Sequence, residues 1–179
     1  MNTVGDLLEL AYGKALKAED RSGGSVPVVG SGGVVGAHSE AITTDQTIVV
    51  GRKGSIGSIT WVDGPAWPID TAYYVKLKTA GLDLRWVYWL LTSLPLASMN
   101  KSAAVPGLNR DDVYRIPVSV PALDEQRRIA AMLDRADAIR SKRRQVLAHL
   151  DSLAETVFEA MFSGISTRVP LAVLPRDVG

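Results

Sequence analysis

The chain has 179 residues, 46% of them hydrophobic, with a formal net charge of +1 and no cysteine. That length allows one sizeable core and hardly two, and the charge supplies no broad basic field of the kind on which sequence-independent nucleic-acid binders rely. Without cysteine there is no disulfide framework, thiol nucleophile or thiolate metal site, and His38 and His149 lie too far apart in sequence to suggest a shared metal.

No apolar stretch reaches the eighteen to twenty residues of a membrane span, and MNTVGDLLEL lacks the basic start and apolar centre of a signal peptide. A cytoplasmic protein is expected. The first elements along the chain are short strands broken by glycine. Val26–Val29, Thr47–Gly51, Ser58–Val62, Ala72–Leu77 and Val113–Val120 are β-branched or aromatic runs bounded by Gly, Pro, Asp or Ser. A helical insertion interrupts them: Asp83 can cap a segment carrying Leu84, Trp86, Val87, Trp89, Leu90 and Leu91, whose apolar residues cover more than one face and so belong in a core. Pro95 opens a further short turn.

Pro121 ends the last predicted strand, and Asp124 is the expected N-cap of a long helix. Within it the a and d positions of successive heptads are Ile129, Met132, Ala136, Ile139, Arg143, Val146, Leu150, Leu153, Val157 and Ala160. Only Arg143 is polar, and a seam longer than four heptads argues for a coiled coil. Gly164 and Pro170 are its expected stop signals. A helix of about forty residues extends roughly 60 Å, more than a domain of this size can cover, so pairing with another helix is the preferred reading. The expected organisation is a mainly β domain over 1–121 with a helical insertion, a long coiled-coil helix over 122–163 and a tail over 164–179, an α+β fold.

Two glycine stretches invite a nucleotide-binding reading and do not support one. GSGGVVG at 30–36 has the wrong spacing for a dinucleotide fingerprint, and GRKGSIG at 51–57 lacks the GK[ST] ending of a P-loop. A GRKG turn offers close backbone approach and two cations, which suits a DNA phosphate; a plain hairpin turn with solvated charges fits the same residues. The run Arg140, Lys142, Arg143 and Arg144 is either a solvated helix face or a docking site, and His149 beside the seam reads as solvated or interfacial. Trp61, Trp67, Tyr73, Tyr74, Trp86, Tyr88 and Trp89 carry enough ring surface to stack on bases, with core packing as their default role.

Taken in order, PVVGSGGVVG at 27–36, TIVVGRKGSIG at 47–57, WPIDTAYYV at 67–75 and SAAVPGLNRDDVYRIPVSVPALDEQRRIAAMLDRAD at 102–137 resemble the specificity subunit of type I restriction-modification systems. The resemblance covers nearly all of residues 1–163. It departs from the family in length: members usually carry two recognition domains and two helices, and one of each stands here, as in half a subunit or a truncated gene. The family implies a non-catalytic protein that binds double-stranded DNA, docks adenine methyltransferase subunits along its helices and, in full systems, is joined by a translocating endonuclease. The chain agrees in having no NPP[YF]-type methyltransferase motif, nuclease carboxylate cluster or nucleotide-binding motif, and no cofactor is expected.

Carried onto this sequence, GRKGSIG and PGLNR make Arg52, Lys53, Asn109 and Arg110 candidates for scaffold and phosphate contacts, and Ser55 of the same GRKGSIG turn a further DNA-contact candidate. Ser31, His38, Ser39 and Glu40, with Lys101 and Ser102, are the candidates for groove contacts. The seam residues are the expected dimer interface, paired antiparallel so that Arg143 faces Val146 instead of its own copy, and a homodimer built in this way reads an interrupted palindrome. Two other readings remain: a coiled-coil binding module for a protein or small ligand, and an enzyme using Asp70, Asp111, Asp112 or the glycine turns.

Overall fold

The computed structural model describes residues 2–99 and 107–163, and among these the chain is α+β. Two compact units are distinguished, Met1–Leu133 and Asp134–Gly179. The first unit begins with β1 (Asn2–Thr3), a single helical turn α1 (Val4–Leu7) and β2 (Leu8–Tyr12). It continues with β3 (Val26–Gly30), β4 (Gly33–His38), β5 (Thr47–Gly51), β6 (Ile59–Val62), β7 (Trp67–Pro68) and β8 (Ala72–Leu77). After α2 (Leu84–Ser93) and α3 (Arg110–Tyr114), β9 (Pro117–Val118) precedes the long helix α4 (Leu123–Phe162).

A four-stranded sheet has the order β2-β8-β5-β6, a second sheet the order β4-β3-β7, and β1 pairs with β9. Every pairing is antiparallel except β3 with β7. Strand β5 is buried at all five positions because the sheet is covered on both faces. Ile48 and Val50 enter a large core with Leu8, Leu10, Trp86, Val87, Leu91 and Val113. Val49, between them, enters a smaller core with Val29, Val62, Ala66 and Ala72. Each fully buried Val, Leu or Ile among these contributes about 1.5–3 kcal/mol relative to exposure.

The predicted strands at Thr47–Gly51 and Ala72–Leu77 are found as expected, and Asp83 caps α2 by accepting the Trp86 N–H at 2.9 Å. The strand expected over Val113–Val120 is corrected. Asn109 accepts the Asp111 N–H at 2.9 Å and starts α3, acidic residues in its first turn favour the helix, and only Pro117–Val118 remains as strand. Strands β2 and β4 went unpredicted. The first turn of α4 also differs from expectation: Asp124 lies inside the helix, with the Gln126 N–H bonded to the Ala122 carbonyl at 3.0 Å.

Gln126 fastens the first turns of α4 within the first unit. It is fully buried; its side-chain oxygen accepts from Asp83 N at 2.9 Å, and its amide nitrogen donates to the carbonyls of Gly81 and Pro121 at 3.1 and 3.0 Å. Ala130 is buried and Ile129 packs against the same core. Ile129, expected at the head of the seam, is therefore engaged within its own chain. Beyond it, Met132, Ile139, Val146, Leu150, Leu153 and Val157 are exposed, as are Ala136, Arg143 and Ala160. Phe158 and Phe162 add a ring pair 4.6 Å apart one turn from each other. Gly164 and Pro170, the expected stop signals, lie outside the described residues.

Candidate nucleic-acid interface

Strand β2 carries Leu8 and Leu10 into the large core, and period-two alternation places Tyr12 on the same face at its rim, 51% exposed. Tyr12 is directly opposite Tyr73 on β8, with ring centroids 5.1 Å apart. Two guanidinium groups stack on this rim: Arg52 lies 5.1 Å from the Tyr12 ring and 5.9 Å from that of Tyr73, and Arg110 lies 4.8 Å from Tyr12. Both distances to Tyr12 fall within the range of a cation–π contact. Tyr73 is buried and donates its hydroxyl to the Leu108 carbonyl at 3.0 Å. Burial and the neighbouring Tyr12 raise its pKa to about 12, against the opposing pull of Arg52 and Arg110.

The backbone joins the two motifs that supply these cations. Leu108 N–H donates to the Arg52 carbonyl at 2.8 Å, while the N–H groups of Arg52 and Lys53 both donate to the Thr71 carbonyl, at 2.9 and 3.0 Å. The Ser31 N–H reaches the Thr71 hydroxyl at 3.4 Å, and Ser58 donates its hydroxyl to the Ser31 carbonyl. Thr71 thus holds both glycine turns. Two glycines make this packing possible: a Cβ on Gly51 would collide with the Ser55 carbonyl, and Gly57 has φ +72° while its missing Cβ would meet the Ala97 backbone.

Of the sequence candidates, the structure brings Ser31, Arg52, Lys53, Ser55 and Arg110 to this region. Lys53 and Ser55 are exposed, and Arg52 and Arg110 are half-buried. Asn109 is the α3 cap. His38 and Ser39 lie elsewhere, at the opposite end of the β3–β4 hairpin, roughly 15 Å from its tip at the strand rise per residue. The His38 ring meets Ser22 through Nδ1 and packs edge-on against Trp67 at 5.1 Å, and Ser39 also bonds Ser22. Glu40 is exposed beyond them. Lys101 and Ser102 lie outside the described residues.

Sequence reading missed Tyr12. The alternation Leu8-x-Leu10-x-Tyr12 was the available signal for both the strand and the face that the tyrosine occupies. Of the aromatic group, Trp67, Tyr73 and Trp86 are buried, whereas Trp61, Tyr88 and Trp89 surround the Arg85 guanidinium at 4.6, 4.6 and 5.9 Å. Asp112 accepts from Arg115 at 3.0 Å, and Asp111 sits in the first turn of α3. No cluster of three or more metal-ligating side chains occurs among the described residues, and no helix among them is long and apolar enough to cross a membrane.

Residues 1–149 match the family model described as type I restriction modification DNA specificity domain. The specificity subunit of the type I restriction enzyme EcoprrI from Escherichia coli is 25% identical over 143 residues, covering 76% of this chain and 35% of that protein. Among solved structures, the S subunit of the M. genitalium type I restriction-modification system superposes with a TM-score of 0.69 at 23% identity, covering 86% of this chain and 43% of the other. A chain from a structure on complex assembly and conformational transition of the type I R-M system gives 0.71 at 14% identity, covering 90% and 44%. The HsdS subunit from Thermoanaerobacter tengcongensis gives 0.62 at 18%, again covering 90% and 44%. These structures share the fold, and the chain spans less than half the length of each relative.

Proposed function

We propose that this chain, which belongs to the type I restriction-modification DNA specificity family, is a non-catalytic DNA-recognition unit. It acts in the cytoplasm as an antiparallel pair of copies that carries adenine methyltransferase subunits, with a restriction subunit joining where one is present. The observation that carries this reading is the convergence of Arg52 and Arg110 on Tyr12. Guanidinium groups bind phosphate oxygens in a bidentate manner, and stacking on a ring holds them ready, so less side-chain freedom is lost on binding. Lys53 and Ser55 in the adjoining turn extend the phosphate-binding surface.

Eleven basic residues against eleven acidic ones over 1–121 make affinity from this domain alone weak. Binding therefore depends on a second copy and on the methyltransferase subunits. The exposed seam from Met132 onward supports the pairing of helices: antiparallel, Met132 meets Val157, Ala136 meets Leu153, Ile139 meets Leu150 and Arg143 meets Val146. A parallel pair would instead bury Arg143 against Arg143. An isologous dimer presents one reading surface twice, which specifies two inverted half-sites separated by a gap.

The test is co-expression with an adenine methyltransferase subunit and mapping of methylated adenines across the host genome. An interrupted palindrome is the expected target. An asymmetric target, a continuous one, or a purified assembly that does not retain DNA overturns the reading, and the last outcome favours a protein- or small-ligand-binding module.

A further inference from the structure

Val34 and Val35 stand out on the first unit's surface. They are 65% and 44% exposed although both are β-branched and apolar, and they lie on β4, an edge strand next to β3. Such an edge is an aggregation hazard that proteins ordinarily blunt with charge or cover. Consecutive residues of a regular strand point to opposite faces, yet here the register shifts: Val28 pairs with Gly36 and Val29 with Val34, leaving Val35 as the extra residue of a β-bulge. A bulge bends its strand and re-aims side chains, and bulges are frequent beside functional sites.

This hairpin tip lies between a cation and a turn that carries cations. On one side it packs against the GRKGSIG turn, with Ser55 Oγ 3.4 Å from where a Cβ on Gly32 would lie and Ser31 Oγ 3.4 Å from that of Gly54. On the other, Arg21 crosses β4 over Gly36 and donates from Nη1 to the Val35 carbonyl at 2.7 Å. An apolar pair beside Arg21 and next to a turn that carries the exposed Lys53 complements a polyanion that displays small apolar groups between its charges. Duplex DNA does so through the thymine methyl in the major groove, which also admits a two-stranded β-ribbon.

We infer that the bulged tip of the β3–β4 hairpin, Val34 with Val35, is an apolar reading element that contacts a thymine methyl group in each half-site. This rests on the DNA-recognition reading above and adds to it the group that is read. The polar candidates His38 and Ser39, anchored to Ser22 at the far end of the hairpin, are not part of this element.

The test uses the full chain assembled with its methyltransferase subunit and duplexes carrying the mapped target, in which each thymine is replaced in turn by deoxyuridine, removing only the methyl. In the unaltered protein one position per half-site should weaken binding about fourfold, or about fifteenfold when both half-sites are substituted, the size expected for one apolar carbon. In V34A,V35A that sensitivity should vanish while the other thymines keep theirs. Because the comparison is a ratio within each protein, a reduced folded fraction does not alter it. Equal deoxyuridine sensitivity in both proteins, or a mapped half-site in which no thymine methyl contributes, overturns the inference and leaves DNA recognition standing. Failure of the unaltered assembly to bind DNA sinks both, and loss of methyltransferase from V34A,V35A would reassign the tip to a protein contact.

Discussion

The side-chain oxygen of Gln126, in the first turn of α4, accepts the main-chain N–H of Asp83 at 2.9 Å, and the carboxylate of Asp83 in turn caps α2. Two helices far apart in sequence thus share one polar junction beside an apolar core. Gln126→Ala removes three hydrogen bonds at once and strands the Asp83 N–H and the Gly81 and Pro121 carbonyls. Destabilisation by about 2–4 kcal/mol is expected in urea unfolding. A change within 0.5 kcal/mol would show that water replaces the side chain at little cost.

The stacked cations should behave as phosphate ligands. Arg52→Ala and Arg110→Ala are each expected to weaken binding of the methyltransferase-containing assembly to all duplexes alike and to reduce the slope of log affinity against log salt by about 1. Tyr12→Phe should leave affinity nearly intact, because it is the ring face that orients both guanidiniums, while Tyr12→Ala should lower it. Effects confined to a single target sequence would mark these residues as base readers instead.

Leu150→Asp or Leu153→Asp places a carboxylate in the exposed seam of α4. In the antiparallel pair the carboxylate is buried without a partner at a cost of about 2–5 kcal/mol, so light scattering at micromolar concentration should change from dimer to monomer with circular dichroism of the β domain preserved. A dimer that persists would exclude the seam as its interface.

Alkaline titration isolates Tyr73. Its pKa is raised in the folded chain to about 12, so the stability it contributes is full below its ordinary value near 10 and is lost as pH rises through 12. Tyr73→Phe should lose about 1–2 kcal/mol at neutral pH, because the Leu108 carbonyl loses its donor, and should show a shallower fall in Tm between pH 9 and 11.5. An alkaline profile unchanged by the substitution would assign the loss to other groups.

The elements governed by local periodicity were legible from sequence. Heptad spacing marked α4, Asp83 followed by an apolar run marked α2, and uninterrupted β-branched residues marked β5, a strand buried on both faces. Val113–Val120 was misread because its alternating apolar residues look like a strand, whereas the Asn109 cap with Asp111 and Asp112 behind it turns the first part into helix. The candidate site was half legible. GRKGSIG and PGLNR each pointed to cations, but their meeting on Tyr12 depends on the pairing of β2 with β8, which no local pattern encodes. His38 and Ser39 looked available in sequence because the turn at Ser22 that occupies them lies on the other side of β3.

Thr71 holds its two turns almost wholly through main-chain groups: the Arg52 and Lys53 N–H groups meet its carbonyl, and the Ser31 N–H meets its hydroxyl. Side chains at 31, 34, 35, 53 and 55 can therefore be exchanged while the platform keeps its shape. In evolutionary terms the two loop tips behave as interchangeable type on a fixed press, free to vary in side chain without requiring a new fold.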